Sequence, residues 1–403
     1  MSKQQILFVD DEPLILSGLQ RTLRPLRGEW DMVFVESGAL ALEHMAQHPF
    51  DVIISDMLMP RMNGAELLKE VLRCYPATVR MVLSGHAHQD LISQCVGVAH
   101  QFISKPCDPE ELRTLVKHAC HLTAGLVDGE AKQVIGSIDR LPSAPEVFLE
   151  LQEALAHPAV DTRRLGAIIQ RDPGMSAMVL KLVNSSFFGM RKSVQDPQEA
   201  VAYLGVDIVR SLVPSKDILE QATPPPEQAL NVSRVWRHSQ AVATAAQSIA
   251  RLEGLPQAQQ REAFTAGMLH DLGVLILTTH FPDRYDQVAT LVCAEQLPLT
   301  AAEERVFGVS HAAVGAHLLG LWGLPARLLE IVSLHHQPQA FEREGMGTAM
   351  AVHVADVLCG AAEGQRFFGT PRLDETRLRR QGLLGRLEAW QAVCREVMAG
   401  EAS

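Results

Sequence analysis

DVIISDM, residues 51–57, decides how the first third of this chain folds. A short β-branched apolar run closed by an aspartate reads as a strand covered on both faces, because a one-sided strand would alternate apolar and polar residues. Similar runs recur on either side: ILFVDD at 6–11, MVFVES at 32–37, VRMVLSG at 79–85 and HQFISKP at 100–106. Between them lie amphipathic stretches predicted as helices from Leu14 to Leu26, from Ala39, from Gly64 to Cys74, near Asp90 and from Pro109. Five strand–helix pairs predict an α/β, doubly wound, five-stranded parallel sheet, with ligands received at the carboxyl ends of the strands.

Length and composition bound the rest. A chain of 403 residues, 47% hydrophobic, can fill the cores of two or three domains. Its formal net charge of -11 argues against a general phosphate-binding surface, and with 5% aromatics it has few residues for stacking bases. The seven cysteines (Cys74, Cys95, Cys107, Cys120, Cys293, Cys359, Cys394) are scattered without CxxC spacing, which predicts reduced thiols. The N-terminal apolar run ILFV is too short for a signal peptide or a membrane span, so a soluble, cytoplasmic location is expected.

After residue 121 the pattern changes. Gly125 and Gly129 loosen the last helix, and LPSAPE at 141–146 opens a region rich in Leu, Ala and Val at helical spacing. The expected organisation is an α/β domain at 1–121, a helical linker at 122–138 and an all-helical domain at 139–403. TPPPEQ at 223–228 reads as a turn that splits the helical domain. Asp172, before Pro173, is suited to cap the helix that follows, and Asn184 and Ser185 to end it.

Two sets of residues carry chemistry. Asp10 and Asp11 end the first strand and Asp56 the third, so a parallel sheet brings three carboxylates to one edge. Their repulsion is relieved by a hard divalent cation, and a carboxylate beside that cation can attack phosphorus. Lys105 after strand five offers a charge to phosphoryl oxygens, and Ser84 at the end of strand four a hydroxyl. The motifs FVDDEP, ISDMLMPRMNG, VLSG and FISKP resemble the receiver domains of two-component response regulators. That resemblance implies a flavodoxin-like fold, Asp56 as phospho-acceptor, Asp10 and Asp11 as Mg2+-binding acids with Asp56, Lys105 and Ser84 as phosphate-sensing groups, and Phe102 as the switch aromatic. Met59-Pro60 and Asn63-Gly64 read as loop geometry.

The second set is His238, His270-Asp271, His311, His335-His336 and Asp356, with His270-Asp271 expected at a helix surface. Imidazoles and carboxylates suit Fe, Mn or Zn, and a dinuclear site needs about this many ligands. The order resembles the HD superfamily of metal-dependent phosphohydrolases, with its core at about 230–360. Val274 stands where the cyclic di-nucleotide phosphodiesterase branch has Lys, Arg234 where it has an acid, and no Gly-Tyr-Pro follows His336. LPSAPEVFLELQEAL, IIQRDPGMSAMVLKLVNSSFFG, QEAVAYLGVDIVRSLV, GMLHDLGVLIL and SHAAVGAHLLGLWGLP resemble the HDOD family of HD-related output domains.

Two readings follow. One is a response regulator of a two-component phosphorelay, phosphorylated on Asp56 by a sensor histidine kinase or phosphotransfer protein, whose HDOD domain acts by binding a downstream protein or nucleotide. The other is a metal-dependent cyclic nucleotide or di-nucleotide phosphodiesterase gated by the receiver. A DNA-binding reading rests only on Arg377, Arg379 and Arg380, which a solvated helix face explains; neither direct DNA binding nor a membrane is expected, and a homodimer is left open.

Overall fold

The computed structural model describes residues 3–85, 94–106, 108–125, 135–138, 141–190, 192–213, 226–341, 345–362 and 373–401. The helix expected near Asp90, together with Cys107 and Gly129, lies outside these residues. The chain forms two compact units. One comprises Met1–Arg140, Lys181–Ser193 and Gly320–Gly323, the other Leu141–Leu180, Val194–Leu319 and Leu324–Ser403.

The first unit is built on five parallel strands, β1 (Gln4–Val9), β2 (Trp30–Val35), β3 (Val52–Asp56), β4 (Val79–Ser84) and β5 (Gln101–Ser104), in the order β2-β1-β3-β4-β5. Every residue of β3 and β4 is buried, as a strand covered on both faces must be. The register pairs Val9 with Ser55 and Asp56 with Leu83, so the strands end level with one another. Between them run α1 (Pro13–Thr22), α2 (Gly38–Gln47) and α3 (Gly64–Cys74), and α4 (Pro109–Gly125) follows β5. The expected helix to Leu26 stops at Thr22 and continues as a 3-10 turn, Arg24–Gly28. Pro25 explains the break, since it has no N–H to donate and its ring disfavours helical backbone at the residue before it.

A charged side chain lies deep inside this unit. Arg80 on β4 is fully buried and donates to the carbonyls of Val98 (2.7 Å), Thr78 (3.1 Å), Pro76 (3.2 Å) and Gly136 (2.6 Å). Its several guanidinium donors thus find carbonyl acceptors, as a buried cation requires. The Gly136 bond ties the segment after α4 to the sheet.

The second unit is all helical in its described residues. Its helices are α5 (Pro145–Ala156), α6 (Thr162–Ile169), α7 (Pro173–Val183, whose last three residues group with the first unit), α8 (Pro197–Leu212), α9 (Pro226–Leu252), α10 (Gln257–Leu269), α11 (Leu272–His280), α12 (Pro282–Glu295), α13 (Leu299–Phe307), α14 (His311–Leu321, whose last two residues group with the first unit), α15 (Ala326–Leu334), α16 (Thr348–Ala362), α17 (Glu375–Arg380) and α18 (Leu387–Glu401). Asp172 caps α7 as expected, accepting from Met175 N–H at 2.7 Å, and its second oxygen accepts from Ala144 N–H at 2.6 Å. The turn expected at 223–228 is corrected in part: Pro226, Glu227 and Gln228 form the first turn of α9, where proline's missing N–H costs nothing. Residues 223–225 lie outside the described ones. The long α9 packs against α10, α11, α16 and α18, which makes it the spine of this unit.

Candidate functional sites

At the carboxyl end of the sheet, Asp10 follows β1, Asp56 closes β3, Ser84 closes β4 and Lys105 follows β5. Asp10 and Asp56 are 1% and 8% exposed, and Asp11 beside them is half-buried. The Lys105 ammonium lies 2.7 Å from Asp10 Oδ2 and also touches Asp56 Oδ1, so one cation neutralises two strand-end carboxylates. Burial pulls the Lys105 ammonium toward deprotonation, but its bonds to Asp10 and Asp56 outweigh this and raise its pKa above the usual value. Backbone donors hold the acids in place. Glu12 N–H donates to Asp10 Oδ1 at 3.0 Å and Leu58 N–H to Asp56 Oδ2 at 2.8 Å.

Gly64 contributes more than loop geometry here. A Cβ on it would lie 2.3 Å from the Asp56 carbonyl oxygen, so only glycine lets the start of α3 come this close to Asp56. Asn63 closes a capping box with Glu66 on that helix and fixes its entry. Ser84 is buried with its hydroxyl donating to the Gly85 carbonyl at 3.3 Å, and Phe102 points inward at 2% exposure. The oxygen-only acidic donor set fits a hard cation such as Mg2+.

The second unit gathers all seven of its expected ligands. His238 comes from α9, His270 and Asp271 from the junction of α10 and α11, His311 from the first residue of α14, His335 and His336 from the end of α15, and Asp356 from α16. The expectation that His270-Asp271 lies at a helix surface is corrected: they are 0% and 3% exposed, because the α10–α11 junction turns inward onto α9. Gly273 permits this. A Cβ there would sit 1.9 Å from the His311 carbonyl oxygen.

Two ligand groups form, His238, His270 and Asp356 on one side and His311, His335 and His336 with Asp271 on the other. Asp271 spans them: its Oδ2 lies 3.3 Å from His270 Nε2 and its Oδ1 3.3 Å from His311 Nε2. His238 Nε2 is 3.2 Å from Asp356 Oδ1, and His311 Nε2 is 3.1 Å from His336 Nε2 and 3.4 Å from His335 Nε2. Adjacent ligands on a metal with bonds of about 2.1 Å stand roughly 3.0–3.4 Å apart, so these spacings fit a shared ion on each side. His270 Nε2 and Asp356 Oδ2 are buried and make no hydrogen bond; the 3.3 Å separation of His270 Nε2 from Asp271 lacks hydrogen-bond geometry. Buried polar atoms so left are what a metal would satisfy.

The rings are pre-set to offer Nε2. His270 Nδ1 bonds the Gly267 carbonyl and His335 Nδ1 the Val332 carbonyl, both at 2.7 Å, and His311 Nδ1 bonds Glu303 Oε2 at 2.6 Å. Burial holds His335 well below the usual histidine range and pushes His336 down to about 4, which keeps both neutral as ligands must be. Burial opposes the charge on Asp271, but the neighbouring His270 and His311 hold it well below the usual carboxylate range. Burial likewise opposes a charge on His311, yet Glu303 and Asp271 raise it to about 10. Without a metal, then, His311 is a cation between two carboxylates, and an entering divalent ion would take the place of its proton.

Where the phosphodiesterase branch has further groups, this site does not. Arg234 is exposed one turn before His238, and Val274 is buried among apolar neighbours. Of the seven ligands only His336 has an appreciably exposed side chain, at 22%. Glu303 was not expected. It sits in the charged run AAEERVF, where sequence offers no means of telling it from Glu304; only its complete burial sets it apart.

Residues 6–117 match the response regulator receiver domain and residues 141–338 the HDOD domain. An uncharacterized protein of Treponema pallidum is 28% identical over 208 residues, 51% of this chain and 39% of its own length. The hydrogenase transcriptional regulatory protein HoxA of Cupriavidus necator is 37% identical over 123 residues, 30% of this chain and 25% of its own. This chain therefore spans about a quarter to two fifths of these curated relatives. The MmoQ response regulator of Methylococcus capsulatus, a solved structure, is 25% identical with a TM-score of 0.50, covering 63% of this chain and 98% of that one.

Proposed function

Because this chain belongs to the response regulator receiver family through residues 6–117 and to the HDOD family through residues 141–338, we propose that it is a phosphorylation-switched regulator. In this reading Asp56 takes the phosphoryl group and the HDOD domain answers by binding a downstream protein or nucleotide. The observation that carries it is the Lys105 ammonium seated between Asp10 and Asp56 at the carboxyl end of the sheet. We assign the receiver to 1–121, the linker to 122–138 and the output domain to 139–403, working in the cytoplasm; among the described residues no helix is long and apolar enough to cross a membrane.

The chemistry follows from who holds which oxygen. Leu58 N–H holds Asp56 Oδ2, so Oδ1, once Lys105 releases it, is the oxygen that attacks the phosphorus of a phosphohistidine on a sensor kinase or phosphotransfer protein. The O–P bond forms as the P–N bond breaks, the leaving ring nitrogen keeps the bonding pair and the ring takes up one proton from solvent, leaving an acyl phosphate on Asp56 and a neutral imidazole on the donor. Asp10, Asp11 and Asp56 would hold Mg2+, which offsets the charge of carboxylates and phosphoryl oxygens. Lys105 then turns from Asp56 toward the phosphoryl oxygens, Ser84 offers its hydroxyl to the same group, and Phe102 is the side chain that answers the movement of Ser84. Incubation with acetyl phosphate and Mg2+ tests this: wild type gains one phosphoryl group by intact mass, Asp56→Asn gains none, and uptake by that variant would remove Asp56 as acceptor.

A second reading, a metal-dependent cyclic nucleotide or di-nucleotide phosphodiesterase, is favoured by the convergence of all seven ligands on a bridging Asp271. His238, His270, Asp271 and Asp356 would hold one ion of Fe, Mn or Zn, and Asp271, His311, His335 and His336 the other, which supplies water activation when bound. Against turnover stand the burial of six of the seven ligands and the Val274 and Arg234 positions. Metal analysis of anaerobically purified protein, with a cyclic di-nucleotide assay, separates the two: metal without turnover leaves a metal-holding binding domain.

A further inference from the structure

Glu303 is a carboxylate in a place where a carboxylate is expensive. It is 0% exposed on the nine-residue helix α13, and no Lys or Arg among the described residues is paired with it. Its ionic partner is His311, and a buried ion pair is often no more favourable than apolar side chains of the same size, so stability of the core does not account for it.

Its contacts all lead one way. Oε2 accepts both the backbone N–H of His311, at 2.8 Å, and ring Nδ1–H of the same residue, at 2.6 Å, while Oε1 accepts the Tyr285 hydroxyl from α12 at 3.1 Å. The first bond satisfies an N–H that the start of α14 would otherwise leave unpaired. The second turns the ring so that Nε2 faces Asp271 Oδ1, His335 Nε2 and His336 Nε2. His270 and His335 are fastened by neutral backbone carbonyls. His311 alone among these three has an anionic anchor, which makes its Nε2 a stronger donor.

Resting on the metal-binding reading of this centre, we propose that Glu303 is the positioning residue of one half of it, and that Tyr285 holds Glu303 in place. Of the seven ligands Glu303 bonds His311 alone, and His311 belongs only to the group with Asp271, His335 and His336. Removing its carboxylate therefore weakens one ion and spares the ion held by His238, His270 and Asp356. A residue that merely supported the fold would weaken both alike.

The test titrates full-length protein stripped of transition metal with Mn(II), under anaerobic conditions and in excess Mg2+ that keeps the receiver acids Asp10, Asp11 and Asp56 filled, and counts bound equivalents, for wild type, Glu303→Gln, Glu303→Asp, Tyr285→Phe and, as the reciprocal, His238→Ala. Helix content of the metal-free variants is recorded by circular dichroism. Wild type is expected to bind two equivalents. Glu303→Gln is expected to keep one at wild-type affinity and to hold the other roughly 10- to 100-fold more weakly, the usual loss for an outer-shell partner, with partial recovery in Glu303→Asp and a smaller loss in Tyr285→Phe. Paired with His238→Ala, it should bind neither ion tightly. Two equivalents at unchanged affinity in Glu303→Gln, or equal weakening of both, would overturn the role of Glu303 while leaving the metal centre standing. No binding by wild type would overturn the centre itself and the proposal with it.

Discussion

Lys105 Nζ lies 2.7 Å from Asp10 Oδ2 and in contact with Asp56, so the cation of the last strand end already sits among the acids of the first and third. A divalent ion entering the same acids competes with it. Lys105→Ala is expected to tighten Mg2+ binding several-fold, an effect on the order of 1 kcal/mol after solvent screening, and to weaken the structural response to phosphorylation. Calorimetric Mg2+ titration of both proteins checks this; equal or weaker binding by the variant would remove Lys105 as a competitor.

Arg80 should be the costliest charged residue to remove from the first unit. Arg80→Ala leaves four carbonyls without their donor and opens a cavity, so a loss of roughly 3–5 kcal/mol is expected in urea unfolding. Because the 2.6 Å bond to Gly136 is among those lost, hydrogen exchange at Ile138 should rise well before the strands lose protection. Uniform exchange across the sheet and this segment would show that Arg80 does not fasten it.

Asp172 makes a pH-dependent contribution whose sign can be worked out. Complete burial pushes its carboxyl up to about 6, against the pull of bonds from Met175 and Ala144. The folded protein thus holds the proton more tightly than the unfolded chain does. The associated stability is fully present below the unfolded value near 4 and is lost as pH rises through 6, a change on the order of 3 kcal/mol. Urea midpoints for wild type should fall between pH 4 and 7 relative to Asp172→Asn; parallel curves would refute the shift.

Thiol reactivity should sort by burial. Cys74 and Cys293 are exposed, whereas Cys95 and Cys120 are buried with their thiols pushed up to about 12, burial being the main cause. In a Cys107→Ser background, Ellman's reagent at pH 8 is expected to label Cys74 and Cys293 quickly and the others only in denaturant. Fast labelling of Cys95 would contradict its packing against Met57.

Much of the sheet was legible because period and strand ends are local signals. DVIISDM and VRMVLSG could only be buried strands, and Asp10, Asp56 and Lys105 follow once strands are parallel and end level. The helical unit was legible as helical, but the reading of TPPPEQ as a turn failed at Pro226, Glu227 and Gln228, because a proline at a helix start looks the same in sequence as one in a loop. His270 and Asp271 were misplaced at a surface for a related reason: adjacent residues at a helix junction carry no sign of which neighbour will cover them.

Sequence alone determined which elements form, which acids share a sheet edge and which seven residues could bind metal, since each rests on local periodicity or on residue chemistry. Tertiary structure decided what sequence spacing cannot encode. It seated Lys105 between two acids, made Gly64 and Gly273 obligatory by backbone contact, divided the histidines about a bridging Asp271, and singled out Glu303 from an ordinary charged run. The reason is that burial and hydrogen-bond partnership are properties of the packed chain: a carboxylate acquires its role from the ring it meets, and the ring lies eight residues away across a turn.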